Sequence, residues 1–138
     1  MRHGQKAIDA LLRDHPQSHV YFGEHASPDH FAIVLSLSDW RVMEDSECWV
    51  FLHYIGNRTF DTHWFCPRGL KIAAVRRMLA YAFTDIGAET LTGTTPQGHL
   101  NEKRARMLNR AVGAVPMNGG HVLTRERFFS YNKGRIKA

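Results

Sequence analysis

Asp61 and His63 stand two positions apart in "TFDTHWFC" (59–66), a run that alternates as a half-buried strand does. Thr59, Asp61, His63 and Phe65 then share one face, and Phe60, Thr62, Trp64 and Cys66 the other. A carboxylate beside an imidazole suits general-base chemistry near neutral pH, because the acid favours a ring that gains a proton. The spacing fits equally well two side chains that face solvent from a sheet. Directly after the run comes "PRGLKIAAVRRML" (67–79), a basic turn followed at once by a helical pattern. Backbone N–H groups at a helix start stabilise anions, Gly69 lets the backbone approach a ligand, and Arg68 and Lys71 add full charges. Phosphate is the anion such a turn would hold.

Other reactive side chains read more plainly. Cys48 and Cys66 lie 18 positions apart on separate strand-like runs, outside any CxxC pair, so they read as small buried hydrophobes rather than zinc ligands. His15 and His19 have helical i, i+4 spacing, but Pro16 between them breaks a shared helix face. No metal is expected. Charge is divided along the chain: residues 1–69 carry six Lys/Arg against nine Asp/Glu, net −3, and residues 70–138 carry twelve against four, net +8. A basic half attracts phosphate groups. Direct nucleic-acid binding is disfavoured, because Arg104 and Arg106 project about 200° apart on a helix and form no stripe.

The elements that must position these groups follow from periodicity. The 138 residues make one domain, and 43% hydrophobic with 22% charged residues is the balance of a globular chain. No apolar run nears the roughly 20 residues that cross a membrane. The N-terminus lacks the apolar centre of a signal peptide, so a cytoplasmic location is expected. Residues 4–14 read as an amphipathic helix stopped by Pro16. Segments 19–22 and 30–37 ("HFAIVLSL") read as strands, and 38–47 as a polar loop. Runs 48–55 and 59–66 flank "GNR" and read as a hairpin. Residues 70–86 have the strongest helical period, with Arg76 and Arg77 off the apolar stripe and expected in solvent, and Gly87 closing the helix. A strand at 89–96, a helix at 100–112 stopped by Gly113, and a hairpin around "NGG" (118–120) with a last strand through Tyr131 complete the chain. The end, residues 131–138, is basic and expected to be mobile.

This order, with its Arg-bearing turn and Asn-led helix ending in Gly, resembles the GNAT superfamily of acetyl-CoA-dependent N-acetyltransferases over residues 48–131. The family turn Arg/Gln-x-x-Gly-x-Gly/Ala is matched by Arg68, Gly69, Leu70, Lys71, Ile72 and Ala73, with Lys71 where the middle glycine usually stands. Asn101 and Gly113-Ala114 match the ends of the next helix. The resemblance is greatest to compact, divergent members encoded by tailed phages, which places the protein in host cytoplasm or virion. It implies a single α/β (α+β) domain with a mixed, mostly antiparallel sheet flanked by helices, in which strands near 59–66 and 89–95 run parallel and splay apart. It implies acetyl-CoA as cosubstrate, with the pyrophosphate on the turn, Asn101 nearby, and Trp64, Phe65 and Cys66 along the pantetheine arm. His63 with Asp61 is the implied base. Many members carry a tyrosine acid in the second helix; Leu108-Asn109-Arg110 has none, and Tyr131 is the substitute. Two functions follow: an N-acetyltransferase acting on an amine of a small molecule or protein, or a catalytically silent phage structural or head-assembly protein with virion partners. A homo-oligomer is allowed.

Overall fold

The computed structural model describes residues 1–22, 27–94 and 99–136, with the side chains of 21, 22 and 99–101 excepted. Strands β1 (Arg2–His3), β2 (Trp40–Asp45), β3 (Cys48–Gly56), β4 (Thr59–Phe65), β5 (Thr90–Thr94), β6 (Val115–Met117) and β7 (Gly120–Thr124) form one seven-stranded sheet. Its order is β1-β2-β3-β4-β5-β7-β6, antiparallel throughout except that β4 and β5 run parallel. Helices α1 (Gln5–Asp14) and α2 (Pro28–Leu35) pack on one face. The opposite face carries α3 (Ile72–Tyr81, prolonged by a π-helical turn Ala82–Ile86), α4 (His99–Val112) and α5 (Arg125–Tyr131). Among the described residues no helix is long and apolar enough to cross a membrane.

The mixed, mostly antiparallel sheet flanked by helices is the architecture expected above. Strand β4 is the middle of the seven, and its neighbour β3 is buried on both faces over residues 48–52. Cys48, Val50 and Leu52 point into a core with Val75, Met78 and Phe83, while Trp49 and Phe51 point into a second core with Ile8, Leu11 and Phe31. A strand buried on both faces reads as a continuous apolar run, as 48–52 does. The β3–β4 hairpin closes through Asn57 and Arg58, both at φ 53°, the pair of positive angles that a two-residue turn matching strand twist demands.

Four local expectations are corrected. Residues 28–35 are helical, because Ser27 Oγ accepts from the His30 N–H, Pro28 occupies the first turn and Phe31 and Leu35 meet the core at i, i+4. β-branched residues cost a helix only tenths of a kcal/mol each, so the cap and the packing prevail. Residues 18–22 form a 3₁₀ turn, not a strand. The polar segment before Cys48 is strand β2, since it pairs along β3 and its acidic residues find cations: Arg77 grips Asp45 through two bonds of 2.7 and 2.9 Å, and Arg2 meets Glu44 at 3.3 Å. After β7, Thr124 Oγ1 accepts from the Arg127 N–H and begins α5, so Tyr131 is helical.

Arg76 and Arg77 are therefore half-buried rather than solvated. Arg76 donates to Asn132 Oδ1 and the Ala111 carbonyl, and the fully buried Asn132 donates to the carbonyls of Val112 and Phe128. One asparagine thus ties together α3, α4 and α5. The basic end packs as far as Ile136, which lies against the core; residues 137–138 lie outside the described residues. Replacing Asn132 by Ala removes one of the two partners of the Arg76 guanidinium and the side-chain donor to the Val112 carbonyl, so urea denaturation should show a loss of about 2 kcal/mol, against about 0.5 kcal/mol or less for Lys133→Ala at the exposed neighbouring position.

Candidate active site

The parallel ladder between β4 and β5 covers only Thr59–Asp61 and Thr90–Thr92, while β4 runs on to Phe65. The two strands part where it stops. Two threonines lock that point: Thr62 Oγ1 donates to the Thr92 carbonyl at 2.9 Å, and Thr92 Oγ1 donates to Asp61 Oδ1 at 2.9 Å. The alternation expected of β4 holds. Asp61, His63 and Phe65 face the α1/α2 side, and Phe60, Trp64 and Cys66 face the α3/α4 side.

On the first side His63 Nε2 lies 3.3 Å from Asp61 Oδ2, with the His63 side chain 40% and the Asp61 side chain 27% exposed. Strand pairing gives Asp61 further neighbours. Trp40 is opposite His53, His53 opposite Asp61, and Asp61 opposite Thr92, one row across four strands. The Trp40 and His53 rings stack at 4.4 Å, Trp40 reaches His63 at 5.7 Å, and His53 Nε2 lies 2.9 Å from Asp39 Oδ2.

On the other side a narrow cleft opens between the parted strands and α4. Thr62 and Trp64 of β4, Leu91 of β5, Leu108 and Asn109 of α4, and His121 of β7 line it. Its enclosed space is about 30 Å³, room for one water molecule. A larger groove of about 520 Å³ lies at the β1–β2 edge, where His3, Leu35, Trp40, Arg41 and Tyr81 line it. Asn109 and His121 were not legible as site residues: nothing local marks them, and only the fold of α4 and β7 across β5 brings them to the cleft.

At the end of β4 the turn 66–71 leads into α3. Gly69 has φ 95°, and its N–H donates to the Cys66 carbonyl at 3.0 Å. Lys71 sits at the N-cap with φ −111°, ordinary extended backbone, so the lysine side chain is accommodated without strain where a glycine was expected. Its side chain is exposed and makes no cap bond, which leaves the first N–H groups of α3 without a side-chain acceptor. Arg68 is exposed and meets Glu47 at 3.7 Å. Ala73 is exposed on the first turn, while Leu70 and Ile72 pack against the core.

Two placements differ from expectation. The Phe65 ring lies on the α1/α2 side, at 6.1 Å from Trp49 and 5.5 Å from His15, so of Trp64, Phe65 and Cys66 it is Trp64 that lines the cleft. Tyr131 is on α5, its hydroxyl donates to the Arg110 carbonyl at 3.0 Å, and its ring covers Gly113 so closely that a Cβ there would collide with it. Tyr131 is not among the cleft's lining residues. The side chain of Asn101 lies outside the described residues, as does Pro96, the expected end of β5.

Cys48 and Cys66 prove to be neighbours beneath the turn. They follow the Trp49–Phe65 pair at the end of the β3–β4 ladder, and the Cys48 thiol meets the Gly69 carbonyl at 3.5 Å. The Cys66 thiol and the Lys71 backbone N–H both donate toward Cys48 sulfur, which pulls its pKa down from 9.0 to about 7, while Cys66 is pushed up by holding its proton for Cys48. The folded state thus favours the Cys48 thiolate, a contribution present in full above pH 9 and lost as pH falls through about 7. The melting temperature should rise between those values, and Cys66→Ala should flatten the rise; parallel pH profiles for the two proteins would contradict the pairing.

No family model matches the sequence, and a search of curated proteins finds no match. Solved structures do match. The spermidine N-acetyltransferase of Vibrio cholerae, in complex with CoA and spermine, superposes with a TM-score of 0.62 at 16% identity, over 91% of this chain and 94% of that one. The N-acetyltransferase PseH of Campylobacter jejuni, in complex with acetyl coenzyme A, gives 0.56 at 12% identity, over 88% and 92%. A further structure described as a probable acetyltransferase gives 0.51 at 14% identity, over 88% and 87%. The parallel β4–β5 pair that parts midway, the turn into α3 and the near-complete overlap with these enzymes agree: the chain has the GNAT acetyltransferase fold.

Proposed function

We propose that this protein is an N-acetyltransferase that moves an acetyl group from acetyl-CoA to an amine. The observation that carries the reading is the stop in the β4–β5 ladder. It places a carboxylate–imidazole pair on one side of the sheet and an apolar cleft on the other, with a basic turn and a helix N-terminus at the strand's end.

The residues present fit coenzyme A. The open N–H groups at the α3 start, with Arg68 and Lys71, suit a pyrophosphate. Trp64, Leu91 and Leu108 offer apolar walls to a pantetheine arm, and since the cleft holds only one water, Trp64 or α4 must shift outward to admit it. Bound acetyl-CoA supplies an activated acyl thioester. The remaining steps belong to the chain. Neutral His63 accepts the proton of the attacking amine, and Asp61, itself held by the Thr92 hydroxyl, orients the ring and stabilises the imidazolium. Backbone N–H groups of β4 beyond Asp61 supply donors for the developing oxyanion. His121, which lines the cleft together with Trp64, is the group that can return a proton to the departing sulfur, while the Tyr131 hydroxyl is committed to the Arg110 carbonyl.

One observation favours a second reading, a fold retained for structure alone: α4 presents Leu108 and Asn109 to the cleft, and neither side chain can act as an acid at neutral pH. Thermal denaturation separates the two. Acetyl-CoA at about 100 times its Kd should raise the melting temperature by several degrees, equivalent to about 2.7 kcal/mol; no shift would support the structural reading. For the enzyme, His63→Ala should lower the transfer rate at pH 7 by about 10²-fold, and Asp61→Asn should displace the pH–rate profile. Full rates in both variants would remove this face of β4 from the mechanism. Lys71→Ala and Lys71→Gly should each weaken coenzyme A binding several-fold and reduce its salt dependence, because the lysine acts as a point charge and not as an obstacle. Tighter binding by the glycine variant would show the reverse.

A further inference from the structure

Cys48 and Cys66 are the chain's two cysteines, and the 66–71 turn is tied to both. The Gly69 N–H donates to the Cys66 carbonyl, and Cys48 sulfur lies 3.5 Å from the Gly69 carbonyl oxygen. The Trp49–Phe65 pair ends the β3–β4 ladder, so one step further the antiparallel register sets Cys66 opposite Cys48. Tyr54 donates its N–H to the Asp39 carbonyl next to β2, and by alternation Cys48, Val50 and Leu52 also turn their backbone groups to β2. Against β4, Cys48 therefore occupies a position without ladder hydrogen bonds. Opposite residues at such positions have Cα atoms about 4.5 Å apart, with their side chains closest. A disulfide needs roughly 4.4 to 6.8 Å between Cα atoms, so this one can close with little backbone movement. The two sulfurs differ in access and in charge. Cys48 is fully buried, and the Cys66 thiol and the Lys71 N–H both donate toward its sulfur. Cys66 is half-buried, within reach of a small reagent. Besides each other, the two feel Lys71, Arg104 and Asp45, whose carboxylate Arg77 holds ionised.

We propose that Cys48 and Cys66 form a dithiol modification site, which a low-molecular-weight disulfide such as oxidised glutathione converts to an intramolecular disulfide. Reaction begins at Cys66. The pair loses one proton, the other passes to Cys48, and the Cys66 thiolate attacks one sulfur of the reagent. A Cys66–glutathione bond forms and one glutathione thiolate leaves. Cys48 then gives up its proton and attacks the Cys66 sulfur, which expels the second glutathione thiolate. Both protons end on the departing thiolates. Two protein thiols and one reagent disulfide become one protein disulfide and two glutathione thiols, so two electrons pass from protein to reagent. The consequence falls on the turn. A disulfide sulfur is neutral, so the charge favoured at Cys48 disappears, and the Lys71 N–H is released for an anion at the start of α3. This effect on acetyl-CoA rests on the transferase reading; the dithiol site does not.

The experiment has two arms on the full chain. In the first, protein at pH 8 is held with excess oxidised glutathione while free thiols and intact mass are followed. Wild type should lose both thiols, become lighter by two hydrogen atoms and carry no glutathione. Its melting temperature should rise by a few degrees, and dithiothreitol should reverse every change. Cys48→Ser should instead hold one glutathione on Cys66, and Cys66→Ser should stay unmodified because Cys48 is buried. Wild type that keeps both thiols, or that ends as a stable glutathione adduct, overturns the site. Modification of Cys66→Ser as fast as wild type overturns entry through Cys66. Should either variant fail to fold, the wild-type thiol count and mass still decide. In the second arm acetyl-CoA, which carries no free thiol, is titrated into reduced and oxidised wild type. At pH 8 the oxidised form should bind several-fold tighter. The difference should shrink at pH 6, where Cys48 of the reduced protein is protonated. Equal affinity of the two forms at pH 8 overturns the link to the turn. Disulfide closure with no acetyl-CoA binding by either form would keep the dithiol site and discard the transferase reading.

Discussion

Three residue pairs of parallel sheet, Thr59–Asp61 against Thr90–Thr92, are the constraint on which the rest of this molecule depends. Too few to form a broad parallel sheet, they suffice to seat β5 beside β4 after the α3 crossover, and their end opens the gap. Ladder hydrogen bonds that continued to Phe65 would have filled the space between the strands with backbone. The threonine bonds at Thr62 and Thr92 satisfy groups at the point of separation, so the strands part without leaving those polar atoms bare.

Around that gap the structure separates two electrostatic tasks by sheet face. The α1/α2 side gathers Asp39, Asp61, His53 and His63 on strands β2 to β4 and the short connection before β2. The α3/α4 side begins with Arg68, Lys71 and the positive end of a helix.

The bracing of α3 shows how the basic half is afforded inside a small domain. Arg77 is neutralised by Asp45, whose carboxyl it holds below the usual range. Arg76, the residue before it, is satisfied by Asn132 and a helix C-terminal carbonyl, both neutral partners. The guanidinium of each reaches partners on other elements. They fix how α3 lies on the sheet, and hence where its N-terminus and the 66–71 turn point.

Local patterns in the chain determined much of this protein. The alternation of 59–66 set Asp61 and His63 against Trp64, the period of 70–86 set α3, and the turn residues set both hairpins, because each depends on neighbours in sequence alone. Tertiary structure decided what those patterns leave open. "HFAIVLSL" is apolar enough for either state, and the Ser27 cap and the Phe31 and Leu35 contacts chose helix. Residues 40–45 look like a loop until β3 supplies partners and Arg77 a counter-ion. The Cys48–Cys66 neighbours, the row from Trp40 to Thr92, and His121 in the cleft with Thr62 all join residues 18 to 59 positions apart. Register and burial are set by pairing across such distances, and no short stretch of sequence encodes them.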